Sequence, residues 1–168
     1  EVITSTMTFA ATANVIVHVG ATPVLVDVRE GDANMDPGAL ERAITPATKA
    51  IMPVHLAGEP CDMDAIMEVA RPRGIRVLED AAHAIGTAYK GRRIGSFGDT
   101  QVFSFHPNKN MTTGEGGCVA TRDEKLAGDA TPPAAPQPHR SPSSSTPPPQ
   151  KQPTCSTKVS CSPDPEHP

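Results

Sequence analysis

Two side chains in this sequence have the type and placement for imine chemistry. Lys109 lies in Phe103-Ser-Phe-His-Pro-Asn-Lys-Asn-Met-Thr-Thr-Gly-Glu-Gly-Gly117, just beyond an apolar strand-like run and just before a glycine-rich turn. Asp80 ends a second such run, Val77-Leu-Glu-Asp80, and is followed by Ala81, Ala82 and His83. A lysine amine forms Schiff bases with carbonyl compounds, pyridoxal phosphate among them, in a walled and partly desolvated site. The same cofactor needs an acid against its pyridinium nitrogen, so that the ring draws electrons from the substrate carbon. Each residue also has an ordinary reading. Asp80 serves as a helix N-cap, His83 as a helix histidine one turn on, and Lys109 as a surface lysine. Ser104 is then a polar strand residue and Phe9 a core aromatic. Against that stand the alternation of Phe103 and Phe105 with Ser104, the small residues after Asp80 where a flat ring needs room, and Gly114, Gly116 and Gly117, which let the backbone turn tightly. Ser104 has a hydroxyl to offer a phosphate, and Phe9, at a helix start, a face to offer a ring. Asp80 and Lys109 together are far more specific than either alone.

The elements that must position them alternate. Glu1 to Ser5 reads as the end of a strand, Phe9 to Val19 as a helix stopped by Gly20, and Thr22 to Val28 as an apolar strand. Asp36 and Pro37 open a helix through Ile44, aspartate as cap and proline in the first turn. Lys49 to His55 is a buried strand, Asp62 to Val69 a helix capped by Asp62 that ends around residues 71–74, and Ile75 to Glu79 the next strand. The alternation predicts an α/β fold with a mainly parallel sheet and flanking helices. Right-handed crossovers collect the strand C-terminal ends, and so Asp80 and His55, on one edge. Tyr89 to Ile94 reads as a small hairpin turning at Lys90-Gly91, and residues 99–105 and 117–121 as two strands flanking the lysine loop.

Composition divides the 168 residues in two. Of 19 prolines, 12 fall after Thr131, in a Pro/Ser-rich stretch whose only Val, Leu, Ile, Met or aromatic residue is Val159. Residues 131–168 cannot bury enough apolar surface to offset their ordering entropy, so a disordered tail is expected, with Pro147–Pro149 a short polyproline ligand as the alternative. The abrupt change after Ala130 reads as an unrelated or out-of-frame terminus. Residues 1–130 hold 12 of the 15 basic and 17 of the 19 acidic residues. Scattered charge of that sign is not a nucleic-acid footprint. No run is apolar enough to span a membrane, and no signal peptide is visible. The four cysteines match no zinc spacing, so no metal is expected, and a reduced, cytoplasmic setting is the simpler reading.

Five segments spread through residues 1–130 carry a resemblance: Met7-Thr-Phe-Ala-Ala-Thr-Ala-Asn14, Pro53-Val-His-Leu-Ala-Gly58, Asp62-Met-Asp64, Glu79-Asp-Ala-Ala-His-Ala84, and Phe103 to Gly117. They resemble the DegT/DnrJ/StrS-type sugar-nucleotide aminotransferases, within the fold-type I pyridoxal phosphate enzymes. The resemblance implies a partial fold-type I large domain over 1–130 and covers none of 131–168. It implies that Lys109 holds pyridoxal 5'-phosphate as an internal aldimine and then shuttles the substrate proton. It further implies that Asp80 pairs with the ring nitrogen, Phe9 stacks on the ring, Ser104 contacts the phosphate and His83 stands beside the cofactor. The implied reaction moves an amino group from glutamate to a keto group on a nucleotide-linked deoxysugar, in a homodimer. Family members carry a phosphate-cradling turn before the segment matching Glu1 and a small C-terminal domain. Neither is matched here, so a fragment truncated at both ends, with weak or no activity alone, is expected. A non-catalytic truncated product and a proline-rich interaction protein are the alternatives.

Overall fold

The computed structural model describes residues 1–129; the expected disordered tail and the polyproline segment lie outside the described residues. Six strands make one sheet: β1 (Val2–Ser5), β2 (Pro23–Val26), β3 (Ala50–Met52), β4 (Arg76–Asp80), β7 (Thr100–Ser104) and β8 (Gly117–Thr121), in the order β2-β1-β3-β4-β7-β8. The first five are mutually parallel, and β8 returns antiparallel to β7 with Ser104 opposite Gly117. A separate hairpin joins β5 (Ala88–Tyr89) to β6 (Arg92–Arg93) through Lys90 and Gly91, both at positive φ. The expected mainly parallel α/β sheet is therefore observed. Its parallel strands place residues 6–9, 53–55, 80–83 and 105–109 along one edge, and the β7–β8 register brings residues 114–116 there too.

Helices follow the local chemistry of their ends. α1 (Ala10–His18) turns Thr12 and Ile16, four residues apart, onto the sheet and stops at Gly20 (φ 76°). α2 (Pro37–Ala43) starts with proline in the first turn, and Gly38 N–H donates to the Asp36 carboxylate. α3 (Met63–Ala70) buries Met63, Ile66 and Ala70 along one stripe, and Ala65 N–H donates to Asp62 at 3.2 Å. α4 (Glu124–Asp129) follows β8; the sequence shows no apolar period there to announce it. The main core joins Ile3, Val26, Met35, Leu40, Ile51, Met63, Ile66 and Val77, and a smaller cluster joins Ala81, Ala84, Ile94 and Phe103. Among the described residues no helix is long and apolar enough to cross a membrane.

Two expectations need correction. The strand expected over residues 49–55 stops at Met52, because Pro53 has no N–H for the ladder. Val54 forms only an isolated bridge, to Asp80. No helix follows Asp80, so neither an N-cap nor a helical histidine exists there. Ala84 N–H to Ala81 C=O and Thr87 N–H to Ala84 C=O make consecutive turns instead, and Gly86 (φ 82°) keeps the chain from winding on.

Asp62 caps α3 and also accepts the Tyr89 hydroxyl at 2.7 Å, which holds its carboxyl below the usual range. Asp62→Ala is expected to cost about 1 kcal/mol, the worth of an N-cap, with the well-solvated tyrosine bond adding little. A depressed folded-state value means this contribution is present above the unfolded aspartate value and lost as pH falls through the lower folded one. Thermal unfolding should show the variant below wild type by roughly 4 °C at pH 7, with the gap closing toward pH 3. Equal midpoints at pH 7 would refute it.

Candidate active site

Asp80 is the last residue of β4, half-buried, and its carboxylate is fixed from both sides. Oδ1 accepts Ala82 N–H at 3.1 Å, and Oδ2 accepts the hydroxyl of the buried Thr12 at 2.7 Å. Thr12 spends its one proton on Asp80, so in the 2.7 Å contact between the two hydroxyls Thr8 donates to Thr12. The backbone is held as well: Asp80 N–H donates to Pro53 C=O, and His55 N–H donates to Asp80 C=O. A carboxylate braced this way keeps one orientation without a cation beside it.

Lys109 sits beyond β7 in the turn opened by His106, half-buried, with Nζ 2.8 Å from His83 Nε2. His83 belongs to the turns after Asp80, so the sheet edge joins the amine and the acid through a histidine three residues from that acid. Ala57 N–H donates to His83 Nδ1 at 3.3 Å. A lysine ammonium donates only, and a neutral imidazole has one accepting nitrogen, so the Ala57 amide and the Lys109 amine compete for the His83 lone pair. The loop around Lys109 is closed by Phe105 N–H donating to Gly116 C=O and Thr113 N–H to Phe105 C=O. Gly116 has φ 154°, and a Cβ there would stand 2.6 Å from Thr113 Oγ1; a Cβ on Gly117 would stand 2.8 Å from Phe103 C=O. Only glycine fits this close return.

Ser104 ends β7 on the same edge, where its hydroxyl accepts His106 N–H at 3.4 Å. Phe9 is the residue before α1 and is 76% exposed, so a ring face stands open at the edge. Phe9, Asp80, His83, Ser104 and Lys109 thus all fall on one sheet edge. The direct contact among them is between His83 and Lys109. Lys90, by contrast, lies on the hairpin and is held above its usual range by the Asp64 carboxylate and then the Tyr89 hydroxyl, which keeps it a cation. Two surface cavities open at the opposite edge, near the starts of β3, β4 and β7; arginines and aspartates line the first, Thr45, Thr48, Lys49 and Arg73 the second, and neither contains Lys109, Asp80 or His83.

The residues present fit a pyridoxal cofactor by the chemistry of their groups: an amine, a carboxylate with fixed orientation, a hydroxyl at a strand end and an uncovered aromatic face. Thr8, Thr12, His55, Ala57 and Glu79 also build the site, and no role was read for them in the sequence. Thr12 meets Asp80 across 68 residues, and Ala57 meets His83 across 26. Local pattern carries no signal for such pairs, although all five lie in the segments that carried the resemblance. Below the site, Cys61 is fully buried, and burial pushes its thiol up to about 12, so it is inert in exchange. Cys61 and Cys118 are both free thiols.

A parallel α/β sheet with an amine and an acid at its strand ends defines a class. The chain belongs to the DegT/DnrJ/EryC1/StrS aminotransferase family, whose family model matches residues 1–132. Among its relatives is the spore coat polysaccharide biosynthesis protein SpsC of Bacillus subtilis. It is 59% identical over 127 residues, which are 76% of this chain and 33% of SpsC. The GDP-perosamine synthase of Caulobacter vibrioides is 54% identical over 127 residues, 76% of this chain and 34% of that protein. Among solved structures, Spr1654 of Streptococcus pneumoniae, described as a sugar aminotransferase and solved in its PLP form, superposes with a TM-score of 0.72 at 40% identity. That match covers 76% of this chain and 38% of Spr1654. The chain spans about a third of the length of the curated relatives it matches.

Proposed function

We propose that this chain carries the cofactor-holding part of an enzyme that transfers an amino group from glutamate to the keto group of a nucleotide-linked deoxysugar, with pyridoxal phosphate on Lys109 and weak or no activity from the chain alone. The observation that carries the reading is the half-buried Lys109 amine, 2.8 Å from His83 Nε2, on the same sheet edge as the braced Asp80. The family membership, a relative named for a GDP-linked amino sugar and a neighbour solved with PLP support it. The cofactor, when bound, supplies an electron sink for the carbon that gains or loses the amine. Asp80, oriented by Thr12 and Ala82, keeps the ring nitrogen's proton in place. Lys109 Nζ takes the proton from the amino-bearing carbon. Ser104 offers its hydroxyl to the phosphate, and Phe9 covers one face of the ring, excluding water from it. Residues 1–130 are the domain that carries this chemistry, and 131–168 a Pro/Ser-rich tail. We place the protein in the cytoplasm, which unpaired Cys61 and Cys118 suit. A homodimer is the working assembly; Val15, Val17 and Val19, exposed on α1 and at its end, offer apolar surface that a second copy can cover.

The test is to mix the chain with pyridoxal phosphate, reduce with borohydride, and map the labelled peptide. Label on Lys109 is expected; label on Lys90 or Lys125, or none, overturns the reading. Supplying GDP- and TDP-linked keto-sugars with glutamate, and measuring 2-oxoglutarate against amino sugar, then separates the substrate from the cofactor.

A further inference from the structure

Lys109 sits in the loop that joins β7 to β8, residues 105–116, and nothing in that loop is helix or strand. Its internal bonds fold it back on itself: His106 N–H donates to Ser104 Oγ at 3.4 Å, and Thr112 Oγ1 donates to Phe105 C=O at 2.9 Å. Toward its far end Gly114 (φ 83°) and Gly116 (φ 154°) give the chain freedom rather than support. Among the described residues, two polar contacts tie the loop to anything beyond its own strands, and they come from adjacent residues. Lys109 Nζ lies 2.8 Å from His83 Nε2, and Asn110 Nδ2 donates to Ile85 C=O at 3.1 Å. The direction of the second is settled, because a carbonyl only accepts and an amide NH2 only donates. Ile85 and Phe105 also pack on the same cluster of Ala81, Ala84, Ile94 and Phe103, which seats the base of the loop and leaves its tip to those two contacts.

We propose that Asn110 is the positioning residue of the lysine loop, its bond to Ile85 C=O holding Lys109 against the turns that follow Asp80 whether or not the amine is engaged. Both contacts land in those turns, so both set the distance between the lysine loop and the end of β4. Only one of them is a fixed anchor. Lys109 Nζ is the atom that must bond to a carbonyl carbon and be released again, so its contact with His83 is interrupted by its own chemistry. Asn110 Nδ2 takes no part in that step and keeps its bond. A reacting atom misplaced by about 1 Å loses rate steeply, so a tie one residue from Lys109 counts for more than its modest strength. Asn110 is exposed, and its removal costs the fold little. It touches no reacting atom. Its importance for capture rests on the reading of Lys109 as the reacting amine; the tie between loop and turns stands without it.

The first measurement is amide hydrogen exchange of the full chain by NMR, following Phe105 N–H and Thr113 N–H, which close the loop on Gly116 and Phe105 C=O. Lys109→Ala should leave both at their wild-type rates, because Asn110 still holds the loop. Asn110→Ala should speed both about 3–10-fold, the worth of one hydrogen bond. Asn110→Asp should do the same, since its carboxylate matches the amide in shape and has no N–H to donate. If Asn110→Ala does not fold, Asn110→Asp decides this arm. The second measurement is the rate of pyridoxal phosphate capture on Lys109 across pH, with samples quenched by borohydride at intervals. Capture joins Nζ to the aldehyde carbon with loss of water, and borohydride then adds hydride to that carbon. Asn110→Ala should slow capture about 3–10-fold at every pH, with the midpoint of the pH profile and the urea midpoint unmoved. Wild-type exchange in both Asn110 variants, or loosening by Lys109→Ala as large as theirs, overturns the proposal. So does wild-type capture in Asn110→Ala, or slower capture with a shifted pH midpoint, which would place the effect on the charge of the amine. If wild type takes no label on Lys109, the functional reading fails, and exchange alone decides whether Asn110 holds the loop.

Discussion

Glu79→Ala is expected to remove a large share of the domain's stability and move its urea midpoint far below wild type, although Glu79 touches neither Lys109 nor Asp80's carboxylate. Its side chain is 1% exposed and accepts three hydrogen bonds: His55 Nε2–H at 3.0 Å, Gln101 Nε2–H at 2.7 Å and the amide of Gly98. Alanine leaves all three buried donors without an acceptor, at roughly 1–3 kcal/mol each, or about 3–6 kcal/mol if only part relaxes. A domain of this size holds about 5–15 kcal/mol in total, so the loss is a large share of it. Glu79→Gln tests the chemistry more finely. One end of the amide still accepts, but the other presents hydrogens to a donor. His55 can turn its own proton away only by giving up Cys61 N–H. A cost of roughly 1–3 kcal/mol, between wild type and alanine, is expected. Urea titration followed by circular dichroism reads both. Midpoints for the two variants as close to wild type as those of surface substitutions would remove Glu79 from this role.

Glu79 also marks where sequence reading stops. The βαβ alternation was legible because strands and helices announce themselves locally. Asp36 and Asp62 are visible caps, Pro37 a visible first-turn residue, and Gly20 a visible stop, and all four act so in the structure. The hairpin at Lys90-Gly91 was visible for the same reason. Lys109 and Asp80 were legible as candidates because a lysine before a glycine turn and a carboxylate at the end of an apolar run are poorly explained by solvation alone. Their partners were not. Thr12 reaches Asp80, Ala57 reaches His83, and Glu79 reaches His55 and Gln101 only after the sheet has assembled, and no periodicity encodes which hydroxyl or amide will arrive. The turns after Asp80 escaped because Ala81-Ala82-His83-Ala84 has good helix formers. Tertiary contact overrides that preference: Ala81 N–H is taken by Val102 C=O, which keeps the chain in the sheet for one residue more. Pro53 was the legible sign that β3 ends early, and it outweighs the apolar run that continues past it.

Lys109→Ala and Asp80→Asn should fail in different ways, and the difference separates covalent capture from electronic activation. Lys109→Ala removes the half-buried amine at this edge, so borohydride labelling by pyridoxal phosphate should disappear from the 103–117 peptide. Lys90 will not replace it, because Asp64 and Tyr89 keep it a cation in the hairpin turn. Asp80→Asn changes charge with little change in shape. The asparagine oxygen can still take Ala82 N–H, and the Thr12 hydroxyl, which rotates freely, can accept from its amide. The fold should survive, and Lys109 should still be labelled. What is lost is the negative charge that, under the proposed function, would hold a proton on the ring nitrogen. Removing one such electrostatic partner typically costs about 10²–10³ in rate. The readout is exchange of the glutamate α-proton in deuterated water, followed by proton NMR, which reports the carbon–hydrogen step without a sugar acceptor. Asp80→Asn should retain the label and lose the exchange; Lys109→Ala should lose both. Exchange at the wild-type rate in Asp80→Asn would mean that the ring nitrogen is not served by this carboxylate. The acid would then have to be sought elsewhere on the edge.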